Sequence, residues 1–113
     1  MSEIISFEEF EKVDIRAGRV VEVALYEEAR RPSYKIKVDF GDEIGVKKSI
    51  AQFPPNYSED ELNGKVVAAV VNFEPRQIGP AVSEVLIVGF PDEDGNAVAI
   101  SPDQDVVIGS KLF

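Results

Sequence analysis

Apolar side chains recur at Val13, Ile15, Ala17, Val21, Val23 and Leu25, with Arg19 the exception, while Asp14, Arg16 and Glu22 fall between them. A period of two marks a strand with one face buried, so this stretch predicts one long strand, bent near Gly18. The same period returns at Tyr34, Ile36, Val38 and Phe40, with Lys35, Lys37 and Asp39 opposite, and predicts a second, half-exposed strand. Gly41-Asp42-Glu43 predicts a turn. A third strand is expected from about Gly45 through Ile50 towards Phe53, where Pro54-Pro55 stops any ladder.

Two short helices are announced by capping boxes. In the first, Ser6 caps, Glu9 reaches back and Ile5 staples onto Phe10; in the second, Ser58, Glu61 and the pair Tyr57 and Leu62 play the same parts before Gly64 ends the turn. Val66-Val67-Ala68-Ala69-Val70-Val71 and Val85-Leu86-Ile87-Val88 are apolar without alternation, so both faces of these strands need cover. One face fills a barrel. The carboxyl-terminal segment, a second subunit, or both are expected to shield the other. Pro91-Asp92-Glu93-Asp94-Gly95-Asn96 resembles a calcium loop only superficially, because its Gly comes too early and no closing Glu follows; it predicts a hairpin turn. The rest of the chain offers Val98, Ile100, Val106, Val107, Ile108 and Leu112 for further strands.

A short helix between the third and fourth strands is the placement seen in OB-folds, which are five-stranded Greek-key barrels. The expected fold is therefore an all-β OB-fold barrel with short helices, formed by one domain over residues 1–113, with terminal extensions that make a dimer interface. No linker, repeat or low-complexity tract divides the chain.

Composition narrows the chemistry. The 113 residues contain neither Cys nor His, which removes disulfides, thiolate nucleophiles and the usual neutral-pH proton shuttle. No cofactor, metal site or catalytic residue is expected. Met1-Ser2-Glu3-Ile4-Ile5-Ser6 lacks a basic segment followed by an apolar run, and no stretch approaches the ~20 apolar residues of a membrane span, so a soluble cytoplasmic protein without membrane insertion is expected. The net charge of −9 repels polyanions on average, and a nucleic-acid role needs a local basic patch.

Three blocks carry a family resemblance: Val13-Asp14-Ile15-Arg16-Ala17-Gly18; Asp39-Phe40-Gly41 with Ser49-Ile50-Ala51-Gln52; and Val71-Asn72-Phe73-Glu74-Pro75-Arg76-Gln77-Ile78 followed by Ser83-Glu84-Val85-Leu86. In order and spacing the chain resembles the tRNA-binding-domain family, and within it the CsaA branch, along nearly its whole length. The resemblance implies an OB-fold homodimer without catalysis. CsaA proteins are described as export-related chaperones, and their relatives bind tRNA as free dimers or as domains of aminoacyl-tRNA synthetases. Carried onto this chain, it implies a peptide- or RNA-binding surface of Gln52, Asn72, Phe73, Arg76, Ile78, Ser83, Glu84 and Val85. The chain departs from the CsaA pattern at Glu74, Gln77 and Ala81, where a proline, an arginine and an aromatic are usual. One positive charge is lost and one negative gained in a single loop, which weakens phosphate binding; the lost aromatic is a stacking platform worth about 1–3 kcal/mol per base.

Arg30, Arg31, Lys47 and Lys48 form a basic patch with Arg76 if the strands bring them to one barrel face; otherwise they are solvated charges that balance abundant acid. Ser83-Glu84 has neither a base nor a nucleophile elbow, so it predicts no hydrolase. Phe73 and Ile78 flank Pro75 in a loop, where they either pack over the barrel end or touch a ligand. The expected function is that of a homodimeric chaperone for unfolded or export-bound polypeptides. The alternative is tRNA binding through the same surface. A third reading is an oligomerisation module that docks on a larger enzyme.

Overall fold

The computed structural model describes residues 2–113. Helix α1 (Phe7–Glu11) leads into strand β1 (Ile15–Leu25), followed by β2 (Tyr34–Asp39) and β3 (Val46–Ala51). Helix α2 (Glu59–Leu62) then precedes β4 (Val66–Val70), the hairpin β5 (Arg76–Ile78) and β6 (Ala81–Ser83), β7 (Leu86–Ile87), and the hairpin β8 (Gly89–Pro91) and β9 (Ala97–Ala99). Met1, the first residue of the expected domain and of the amino-terminal segment read for targeting, lies outside the described residues. The main sheet runs β3-β2-β1-β4-β7 with every neighbour antiparallel, and it curls into a nearly closed five-stranded barrel of OB type.

Both capping boxes form. Ser6 Oγ accepts from Glu9 N at 3.1 Å while Glu9 Oε1 accepts from Ser6 N at 3.1 Å, and Ser58 and Glu61 repeat the exchange at 3.1 and 2.9 Å. Helix α2 lies between β3 and β4 and drives Leu62 into the barrel, where it is fully buried beside Ile36, Val38, Phe40 and Val67. The alternation of β2 holds as expected: Tyr34, Ile36, Val38 and Phe40 all point inward, and Lys35 and Lys37 point out.

The face expected for β1 is corrected. Its inward residues are Gly18, Val20 and, less deeply, Val23, while Val13, Val21 and Leu25 are exposed. A register shift between Val20 and Glu22 inserts an extra residue opposite β2, and with a side-chain period of two such a bulge exchanges the faces. Gly18 serves the packing. A Cβ there would overlap Val38 and stand 2.6 Å from Cε1 of Phe40, so the missing side chain is what lets the Phe40 ring fill the barrel.

Two other expectations are refined. The run Val85–Val88 forms only a two-residue ladder with β4, because Gly89 turns the chain into the β8–β9 hairpin, which reverses at Asp94-Gly95 as the sequence predicts. The carboxyl-terminal segment bonds to the backbone of β1 and β4 as a strap with one isolated bridge, Arg16 to Lys111, and no long strand among the described residues; it leaves the outward Leu86 48% exposed, so the cover expected for the second apolar run is not supplied by the described residues. Gly109 N donates to Ala17 O (2.8 Å), Ala17 N to Ser110 O (3.0 Å), Leu112 N to Ile15 O (2.8 Å), and Ala68 N to Ile100 O (3.3 Å). Arg16 pins the strap by donating to Gly109 O at 3.0 Å while pairing with Asp14 at 2.6 Å.

Two substitutions test this packing by urea denaturation. Gly18→Ala is expected to cost about 1–3 kcal/mol, the usual penalty of overpacking a filled core. Ser49 is 1% exposed and its Oγ has no hydrogen-bond partner among the described residues, so Ser49→Ala is expected to leave stability unchanged or raise it by about 1 kcal/mol. A clear loss in Ser49→Ala contradicts the unpartnered hydroxyl.

Candidate functional site: an arginine-rimmed groove

The barrel wall is incomplete where its two edge strands, β3 and β7, meet without pairing. Residues 83–85 stitch the edges at one end. Glu84 N and Val85 N donate to Lys48 O (2.8 and 3.2 Å), Glu84 Oε1 accepts from Lys48 N (3.0 Å), and Ser83 Oγ accepts from Ile50 N (3.0 Å). Beyond the stitch the strands are unjoined, and a groove of about 890 Å³ opens between Ile50–Phe53 and Leu86–Gly89. Its apolar floor includes Ile50, Phe53, Ile78, Leu86, Ile87 and Phe90; Arg30, Arg31, Gln52 and Arg76 stand around it.

Three loops build the rest of the wall, each held by a few polar bonds. The loop from β1 to β2 is closed by Tyr26 N donating to Ser33 O at 2.9 Å, and it carries Arg30 and Arg31. Tyr26 also reaches under the β5–β6 hairpin, where its hydroxyl donates to Ile78 O and accepts from Ala81 N (3.1 Å). That hairpin turns at Gly79, where the φ of +59° favours glycine and an added Cβ would stand 2.9 Å from the Tyr26 hydroxyl.

The β8–β9 turn is organised by Asp92, which accepts from Asp94 N and Asn96 N, both at 2.9 Å, and from Asn56 Nδ2 at 2.9 Å. Asn56 Nδ2 also donates to Ala97 O (3.1 Å), which ties the hairpin to the segment before α2. These donors stabilise the charged carboxylate and hold the Asp92 pKa below its ordinary value, the Asn56 amide first and the Asn96 amide next.

Of the residues singled out in the sequence, the structure brings Gln52, Arg76 and Ile78 together with Arg30 and Arg31 at the groove. Ser83, Glu84 and Val85 form the stitch beside it, and Val85 is buried. Asn72 lies elsewhere: its Oδ1 accepts from Asp14 N (3.1 Å) and its Nδ2 donates to Lys12 O (2.7 Å), splinting the approach to β1 onto the end of β4. Phe73 is exposed and does not line the groove. Lys47 and Lys48 sit on β3 opposite Val38 and Lys37, on alternate faces, and also stay clear of it.

Sequence reasoning missed the floor residues Ile50, Phe53, Leu86, Ile87 and Phe90. The available signal was the apolar run ending in Gly89-Phe90, where Phe90 is 68% exposed. No cluster of three acidic residues able to hold a metal occurs among the described residues, and no helix there is long and apolar enough to cross a membrane.

The fold is a barrel of OB type whose groove brings apolar side chains beside three arginines. The chain belongs to the tRNA binding domain family, which it matches over residues 15–111. Among solved structures it is similar to the CsaA chaperone protein of Picrophilus torridus, at 44% identity and a TM-score of 0.90, covering 97% of this chain and 100% of that one. It is also similar to the chaperone CsaA of Bacillus anthracis, at 36% identity and a TM-score of 0.91, covering 98% and 100%. Curated relatives include the methionine–tRNA ligase of Thermococcus kodakarensis, 35% identical over 97% of this chain but only 14% of that enzyme. The ligase of Pyrococcus furiosus is 36% identical over 96% of this chain and 14% of its own length. This chain spans about one seventh of the curated relatives it matches.

Two measurements probe how the groove walls are held. Tyr26→Phe removes both hairpin bonds and keeps the ring, so hydrogen exchange at residues 76–83 is expected to accelerate for a global loss of about 1–2 kcal/mol; unchanged exchange there means the hairpin is anchored otherwise. Asp92 has a lowered folded pKa, so its contribution is complete above the ordinary aspartate range and is lost as pH falls through the lowered value. The Asp94 and Asn96 amide resonances should hold steady from neutral pH to about 5 and shift only below about 4.

Proposed function

We propose that this protein is a non-enzymatic homodimer whose groove holds extended apolar segments of unfolded or export-bound polypeptides in the cytoplasm. The observation that carries this reading is the groove floor: Ile50, Leu86 and Phe90 offer apolar area beside two strand edges that are unjoined there. An extended segment lying there gains apolar contact from alternate side chains and backbone hydrogen bonds from a strand edge, with little demand on its sequence. Similarity to two CsaA chaperone structures over their full length supports the same reading.

A second copy of the chain is the proposed cover for a separate apolar surface. Phe7, Val13, Leu112 and Phe113 are exposed where α1 meets the carboxyl-terminal strap, around a cleft of about 110 Å³. Apolar patches of this kind are what isologous dimers bury.

The second reading, tRNA binding, is supported by the family and by the methionine–tRNA ligase relatives, and it would use the same arginines. Salt separates the two. With three arginine–phosphate contacts, the slope of log affinity against log salt should be about −2 to −3, whereas an apolar segment gives a shallow one.

Purified protein is expected to delay aggregation of a chemically denatured test protein. The double substitution Leu86→Ser with Phe90→Ser should abolish the delay at a stability cost below about 1 kcal/mol, since both side chains are already exposed. A gel shift with bulk tRNA at low salt, together with no effect on aggregation, would replace the first reading by the second. Phe7→Glu with Leu112→Glu is expected to halve the mass in sedimentation equilibrium; an unchanged mass places the dimer contact elsewhere or removes it.

A further inference from the structure

We propose that the groove selects extended segments in which apolar side chains alternate with aspartate or glutamate, and discriminates against basic ones. The inference rests on the peptide-holding reading above and adds the charge of what is held. Arg30 and Arg31 from the β1–β2 loop and Arg76 from β5 converge on one groove, and Glu28 is the only acidic residue lining it among the described residues.

None of these three guanidiniums has an ion-pair partner among the described residues, although the chain carries 21 carboxylates against 12 basic residues. The other two arginines are already engaged: Arg16 pairs with Asp14, and Arg19 donates to Gly64 O at 2.9 Å. A surplus of acid that leaves three clustered arginines unpaired leaves them free for an external anion.

The overall charge of −9 does not cancel this local field. Screening falls off over about 8 Å at physiological salt, so the groove is governed by the charges that line it, which are net positive. A guanidinium stays charged at any working pH, sheds water more readily than an ammonium, and presents a planar fork that fits a carboxylate. Elsewhere the acidic surface repels an acidic polypeptide, which directs it to the cationic opening.

The period of an extended chain sets the pattern. Successive side chains point to opposite sides, so residues that reach the floor at Ile50 and Leu86 leave their neighbours facing the rim. A carboxylate at those neighbouring positions meets an arginine; a lysine meets like charge.

Three labelled peptides with one apolar set and with Glu, Gln or Lys at every alternate position test the proposal by fluorescence anisotropy at about 0.15 M and 0.5 M salt. The Glu peptide is expected to bind about tenfold more tightly than the Gln peptide, with the Lys peptide weakest, and the spread should shrink at the higher salt. The same comparison in Arg30→Gln/Arg31→Gln and in Arg76→Gln should reduce the Glu-over-Gln ratio to about threefold or less, whereas Lys37→Gln, on the outer face of β2, should preserve it. Equal affinities, or a preference for Lys, overturn the proposal while leaving the peptide-holding function intact. Failure of all three peptides overturns both, and if bulk tRNA then binds in a manner abolished by Arg76→Gln, the groove is a nucleic-acid site.

Discussion

Two edge strands that come together without forming a ladder determine most of what this protein has to offer a ligand. If β3 and β7 paired along their length, the barrel would be sealed and its apolar residues consumed in the core. Instead, Ser83 and Glu84 lend side-chain oxygens to the backbone of β3, so the wall closes over a short stretch and parts beyond it. The stitch satisfies strand donors that the missing ladder would otherwise leave without partners, and the parting leaves Ile50 and Leu86 lining one opening. Barrel stability and groove geometry therefore share the same few bonds.

The parts of the fold that were legible in the sequence are those where one physical pattern acts alone. Strand β2 alternates without a break because one face meets the core and the other meets water, and the capping boxes of α1 and α2 are local chemistry complete within four residues. Strand β1 misled because its apolar positions straddle a bulge: one inserted residue exchanges the faces, and an even-numbered Gly18 and Val20 turn out to line the core. Nothing in a period of two reveals where a register slips. The β5–β6 hairpin was hidden for another reason, since its short strands carry Arg76, Gln77 and Ser83 and are defined by bonds to Tyr26, about fifty residues away in sequence.

The candidate site shows the same division. Polar residues such as Asn72, Ser83 and Glu84 have the right chemistry for ligand contact, yet in the folded chain they bond to backbone groups of distant strands. A sequence displays a donor or an acceptor but not whether the fold has already claimed it. Arg30, Arg31 and Arg76 are the converse case: their identities were plain, and only the meeting of a loop with a hairpin makes them neighbours.

The groove is walled by three loops, each attached through a few hydrogen bonds: the Tyr26 hydroxyl beneath one hairpin, the Asn56–Asp92 link beneath another, and the backbone bond from Tyr26 N to Ser33 O on the third. All three lie outside the ladder of the main sheet, so each can be rewritten without renegotiating the core. A lineage that keeps the barrel and exchanges one wall at a time can pass from one kind of ligand to another through folded intermediates.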